Sequence, residues 1–156
     1  MTHIDNLEEL LNSDDTNNSI IDLDTFIGDL CDYGNDMDVL TEPQKIFYLN
    51  QNLEREINNG GFNQYFINSS GDYTHETIHS LKSIGANHTA DILQKAIDQF
   101  SDKKVPKDRD DRIEIVEDIE ETSNEVWEEL DQKFFEYVDD LNTLNMEYIR
   151  RNKEYF

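Results

Sequence analysis

The chain has few of the residues that staple or interrupt a fold: of 156 residues, 1 is Cys, 2 are Pro and 6 are Gly. The lone Cys31 rules out an intramolecular disulfide, so stability has to come from a packed core. No apolar run nears the length needed to span a bilayer. The opening stretch MTHIDNLEELLN lacks the basic and apolar regions of a secretory signal, so a reducing, cytoplasmic setting is the expectation. Positive charge is scarce relative to negative: 13 Lys and Arg face 36 Asp and Glu, a net charge of -23. That balance argues against direct binding to nucleic acid or to an anionic membrane.

The excess is unevenly placed. Residues 1–44 hold 12 Asp and Glu and no Lys or Arg, residues 45–112 hold 10 against 9, and residues 113–156 hold 14 against 4. The blocks therefore carry -12, -1 and -10. A field of one sign draws in cations or basic proteins over a Debye length of about 8–10 Å at physiological salt. The apolar share is only 36%, but 8 Phe, 7 Tyr and Trp127 recur at helical intervals. They can build a core in a chain of this length.

The periodicity predicts an all-α, single-domain multi-helix bundle with long C-terminal helices. Residues 1–19 read as an acidic N-terminal segment, a short helix over 4–11 followed by a polar, turn-rich linker from Asp14 to Ser19, and mobile as a unit. Residues 20–156 read as the helical domain. Ile20, Leu23, Phe26, Ile27 and Leu30 recur at three and four and predict a helix that stops near Gly34. Thr41 and Gln44 form a capping box with Pro43 in the first turn, and Ile46, Leu49, Leu53 and Ile57 line one face. Gly60 and Gly61 end that helix. Phe62, Tyr65 and Phe66 predict an aromatic turn packed inward before a loop from Asn68 to Gly71. A helix over 74–84 closes at Gly85, Asn87 caps the next, and Lys103 to Arg112 reads as a charged connector around Pro106.

Residues 113–141 keep one helical phase. Val116, Ile119, Val126, Trp127, Leu130, Phe134, Tyr137, Val138 and Leu141 fall on one side. Glu114, Glu117, Asp118, Glu121, Glu125, Glu128, Glu129, Glu136, Asp139 and Asp140 fall on the other. Unbroken, such a helix would carry these carboxylates along about 39 Å. One strand of B-DNA places roughly 11 or 12 phosphates in that length. Like charges at i, i+4 (114/118, 117/121, 121/125, 125/129 and 136/140) each cost about 0.2–0.5 kcal/mol at low salt, so the pattern tips toward a role in binding, with a solvated face that serves solubility as the plain alternative. Thr122, Ser123 and Asn124 could break the helix, which would bend the stripe.

The residues of the middle block carry a resemblance. Gly60, Gly61, Phe62, Gln64, Tyr65, Phe66, Asn68, Gly71 and Asp72, followed by Leu81, Ile84, Gly85 and Ala86, resemble the pattern of a bacterial DNA-mimic protein family that also appears as a domain of unknown function. Glu54 and the ending Tyr148, Ile149, Asn152 and Phe156 are similar as well, so the likeness covers residues 41–156. It implies an all-helical, acidic, non-enzymatic protein that occupies the DNA-binding site of a transcription factor. The matching residues themselves read as scaffold: helix stop, aromatic wedge, turn and junction. A ligand pocket around Gln64, Tyr65 and Asn68 is the alternative reading.

Competing chemistry is limited. His75, Glu76 and His79 spell HExxH, the helical zinc signature, but His75 and His79 point away from the side marked by Ile78, Leu81 and Ile84. His88 does not stand at the metzincin spacing, so a zinc metallohydrolase is the weakest alternative and the histidines read as exposed groups. Asp22, Asp24, Asp36 and Asp38 do not match a calcium loop. Cys31 reads as a small core residue. No phosphate loop or dinucleotide fingerprint is present, and the expectation is no cofactor and no metal. The partner expected is a basic DNA-binding protein, met chiefly by Glu117, Glu121, Glu125, Glu128 and Asp139. An immunity protein capping a basic nuclease toxin would use the same field, and a homodimer would lengthen the acidic surface.

Overall fold

The computed structural model describes residues 3–156, and its described residues form a single all-α domain of eight α-helices with no strand. The helices are α1 (Leu7–Asn12), α2 (Thr16–Leu30), α3 (Glu42–Ile67), α4 (Thr74–Ser83), α5 (Asn87–Ile97), α6 (Arg109–Asp118), α7 (Glu120–Phe134) and α8 (Leu141–Arg151). None is long and apolar enough to cross a membrane.

The longest helix, α3, is the spine and packs against α2, α4, α6, α7 and α8. It starts at the capping box read from Thr41 and Gln44, both halves of which are formed. It breaks at Gly61, whose φ of 75° lies in the left-handed region open to glycine, and then resumes for one aromatic turn to Ile67. One side of α3 joins a core of Leu53, Ile57, Phe62, Phe66, Leu93 and Trp127. The other side, through Phe47 and Leu49, joins a second core with Leu23, Ile27, Met146, Ile149 and Phe156. Cys31 lies wholly inside this second core, as its reading as a small core residue requires.

Residues 3–19 belong to that second core through Ile4, Leu7 and Leu11, while Met1 and Thr2 of the N-terminal segment lie outside the described residues. Polar contacts reinforce the packing: the Ile4 N–H donates to the Phe156 carbonyl (3.2 Å) and the Arg150 guanidinium to the Leu11 carbonyl (2.7 Å). Asp14 to Ser19, expected as a linker, is instead largely the first turn of α2. The Asp15 side chain accepts from the Asn18 N–H and caps it, and Ser19 is buried.

Three further expectations change. Asn87 does not cap α5; that turn is capped from across the fold by Asp139, which accepts from the Thr89 N–H (2.7 Å) and hydroxyl (2.9 Å). Residues 113–141 are not one helix, because α6 and α7 meet at Ile119 (φ -97°, ψ 3°) and α7 ends at Phe134. Tyr137 and Val138, expected inside, are exposed. The cause is local: Tyr137 takes a left-handed φ of 47°, which turns the chain out of helical phase.

Candidate protein-binding surface

The break at Ile119 bends the acidic ridge without scrambling its sides. Arg112, Val116, Ile119, Ser123, Trp127, Leu130 and Phe134 continue one inward series at steps of three and four, buried except for the half-buried Ile119. The carboxylates opposite therefore still face solvent. Glu114, Glu117, Asp118, Glu121, Glu125, Glu128 and Glu136 are exposed and make no ion pair or hydrogen bond among the described residues. Among the described residues, Glu129 alone of the ten expected contact residues pairs with a cation, Lys133, at 3.3 Å.

The far end of the predicted stripe is used differently. Asp139 is occupied by Thr89, and Asp140 caps α8 by accepting from the Thr143 N–H (3.2 Å) and hydroxyl (2.8 Å). Both are structural groups in this fold. The continuous, straight part of the ridge is α7, about 21 Å from first to last residue. It carries Glu120, Glu121, Glu125, Glu128, Glu129 and Asp131. About six phosphates occupy that length on one DNA strand, against five solvent-facing carboxylates of α7 once the inward-turned Asp131 is set aside, so the densities stay similar although the 39 Å ridge does not exist.

Asp131 is the one member turned toward the protein. Its Oδ1 accepts from the Phe62 N–H at 2.8 Å, which satisfies the chain where α3 resumes after Gly61. Burial pushes its carboxyl above the usual carboxylate range, the Phe62 hydrogen bond opposes the rise, and Glu128 adds to it. Beside it an open groove of about 560 Å³ runs between Asn58–Gly61 of α3 and the Glu125, Glu128 and Glu129 side of α7, with Phe135 among its lining residues.

The residues that carry the family likeness are scaffold, and they converge on one group that the sequence reading missed. Arg112 is wholly buried. Its guanidinium donates to the carbonyls of Phe66 (2.5 Å), Pro106 (2.9 Å), Lys107 (3.0 Å) and Asn68 (2.9 Å), and pairs with Asp72 at 2.7 Å. Gly71 is required there: a Cβ would stand 2.7 Å from Arg112 Nε and 2.9 Å from the Tyr65 carbonyl. The signal for a buried Arg112 was its place one turn before Val116, on the same face.

Neither competing site is formed. Tyr65 is buried with its hydroxyl on Thr77 (3.3 Å), burial raising its pKa to about 12, while Gln64 and Asn68 both donate to Glu56. The alternative pocket around Gln64, Tyr65 and Asn68 is thus filled by its own hydrogen bonds. In the HExxH stretch, His75 Nε2 accepts the Val105 N–H (3.1 Å) and Glu76 pairs with Lys107 (2.7 Å). Among the described residues no group of three or more His, Cys, Asp or Glu is placed to hold a metal ion.

The pattern described as DMP19-like protein matches residues 38–152. The chain belongs to the DMP19-like protein family. This is the DNA-mimic family that the Gly60–Gly85 stretch resembles, and membership implies protein binding as a DNA mimic. The DMP19-like region takes in the α6–α7 ridge and the whole Arg112 scaffold, while α1 and α2 lie before it. No curated protein and no solved structure matches the chain.

Proposed function

We propose that the ridge formed by α6 and α7 occupies the basic DNA-contacting surface of a DNA-binding protein, a transcription factor by the family's precedent, and so blocks it competitively. The observation that carries this reading is the unspent charge: Glu114, Glu117, Asp118, Glu121, Glu125 and Glu128 face solvent with no ion-pair partner among the described residues. Lys and Arg side chains that contact phosphates can turn to these carboxylates, and Arg can do so bidentately. No internal ion pair has to break first, except Glu129–Lys133 at the edge of the ridge. The uncompensated field also speeds encounter, with a rate that falls as salt rises.

The test is competition. A DNA-binding protein captured from lysate at low salt is titrated with this protein and with duplex DNA carrying its site. Mimicry requires the two ligands to exclude one another, and Glu117→Lys, Glu121→Lys, Glu125→Lys and Glu128→Lys together should weaken binding by at least about a hundredfold. A ternary complex of partner, DNA and this protein would reject the proposal.

A further inference from the structure

The turn between α7 and α8 holds an unusual concentration of exposed apolar surface. Phe135 is 42% exposed, Tyr137 40% and Val138 61%, three of the seven large exposed hydrophobics among the described residues within four positions. The presentation is rigid. Buried Phe134 lies beneath, its ring 6.4 Å from that of Phe135 and 5.5 Å from that of Tyr137, both edge-on. The Tyr137 hydroxyl accepts from the Asn58 side-chain amide at 2.8 Å, with the Glu54 carboxyl nearby. Tyr137 also keeps a left-handed φ of 47°, a conformation that costs a bulky residue energy and persists only where its surroundings enforce it.

Carboxylates border the patch: Glu54 beneath Tyr137, and Glu136 and Asp140 within or just beyond the turn. A second copy would bring the same negative border against itself. A basic surface with an apolar centre would meet both features at once. DNA itself presents no such apolar knob, so imitation of phosphates does not account for it. Charge alone would accept any basic protein; an apolar anchor selects one with a matching depression.

Resting on the acidic-face reading above, we infer that Phe135 and Val138 form an apolar anchor at the end of the α7 ridge that seats in an apolar depression bordered by Lys and Arg on the same DNA-binding partner. Phe135 also lines the open groove between α3 and α7, where a basic side chain flanking that depression finds Glu125, Glu128 and Glu129. The anchor therefore sets which basic protein is held, and the ridge sets how fast it is met.

Two short synthetic peptides of equal positive charge test this, one of Arg, Lys and Gly alone, the other with a central Leu-Phe-Leu. The wild-type chain should bind the apolar-centred peptide about tenfold more tightly, the gain expected from covering the exposed parts of two side chains. Phe135→Ser with Val138→Ser should erase that difference while keeping the affinity for the control peptide. Val138→Ser alone, at a residue already 61% exposed, should remove part of it in a chain whose thermal melt is unchanged. Equal affinity of the wild type for both peptides, or a preference retained in the double variant, overturns the inference. So does a wild-type dimer that Val138→Ser dissociates, which would give the patch to a second copy. The ridge is judged separately: if Glu121→Lys, Glu125→Lys and Glu128→Lys leave control-peptide binding unchanged, the acidic-face reading fails instead.

Discussion

Arg112 and Glu121 sit in consecutive helices and meet opposite fates. Arg112 is buried with its guanidinium spread over four carbonyls and Asp72, so its charge is consumed in holding the loop after α3. Glu121 lies in solvent with no partner among the described residues, beside like charge a turn away at Glu125. A protein shaped by stability alone would not leave one region so fully paired and the next so fully unpaired. The contrast separates two kinds of residue that sequence similarity blurs. The family's Gly60–Gly85 stretch and Arg112 build the platform, and the carboxylates proposed to meet the partner lie outside that stretch.

Removing the hub of the paired region should have the largest effect. Arg112→Ala strands Asp72 and four carbonyls, that of Phe66 buried and the others partly so, and is expected to cost about 3–5 kcal/mol, read by urea denaturation, with Arg112→Lys recovering little because an ammonium cannot span the same acceptors. A loss below about 1 kcal/mol would show that water replaces the guanidinium readily. Gly61→Ala should follow at about 1–3 kcal/mol, since it forces a left-handed φ on alanine and its Cβ would stand 2.2 Å from Asp131 Oδ2.

In the unpaired region the sign reverses. Glu125→Lys replaces two like-charge i, i+4 contacts, with Glu121 and Glu129, by two opposite-charge ones. It should stabilise the isolated chain by about 1 kcal/mol at low salt while weakening the partner's binding. Stabilisation without loss of binding would make the ridge a solubility feature.

The smallest effect concerns pH. Asp24, Glu54 and Asp131 all have carboxyl pKa values raised chiefly by burial, opposed at Asp24 by Arg55, at Glu54 by the Tyr137 hydroxyl and at Asp131 by the Phe62 N–H. The folded state thus holds these protons more tightly than the unfolded chain, whose carboxyls titrate near 4. Their contribution to stability is complete below that value and is lost as pH rises through the raised folded pKa values. Melting temperature should therefore rise on acidification from about pH 7 toward pH 5, and Asp131→Asn should flatten part of the rise. A melting temperature that falls over this interval would contradict the assignment.

Helices governed by their own periodicity and punctuation were readable: the capping box at Thr41, the glycine break at Gly61, the aromatic turn of Phe62, Tyr65 and Phe66, and the inward series of α7. What escaped reading depends on distant partners. Asp15, Asn17 and Asn18 resemble a linker until Asp15 is seen to cap α2. Asp139 resembles one more ridge carboxylate until Thr89 arrives beside it. Ile119 carries no Gly or Pro signal, and the bend there keeps the apolar series intact, so periodicity alone cannot detect it. Val138 lies outside because of one left-handed residue before it.

The central claim is that free carboxylates of α6 and α7 stand in for phosphates. It is tested most directly by measuring the captured partner's affinity for the wild-type chain and for the Glu117→Lys, Glu121→Lys, Glu125→Lys, Glu128→Lys variant across a salt series. The account predicts a steep fall in affinity with salt for the wild type, and a weaker affinity with a shallower slope for the variant. Equal affinity and equal slope for the two chains would contradict it.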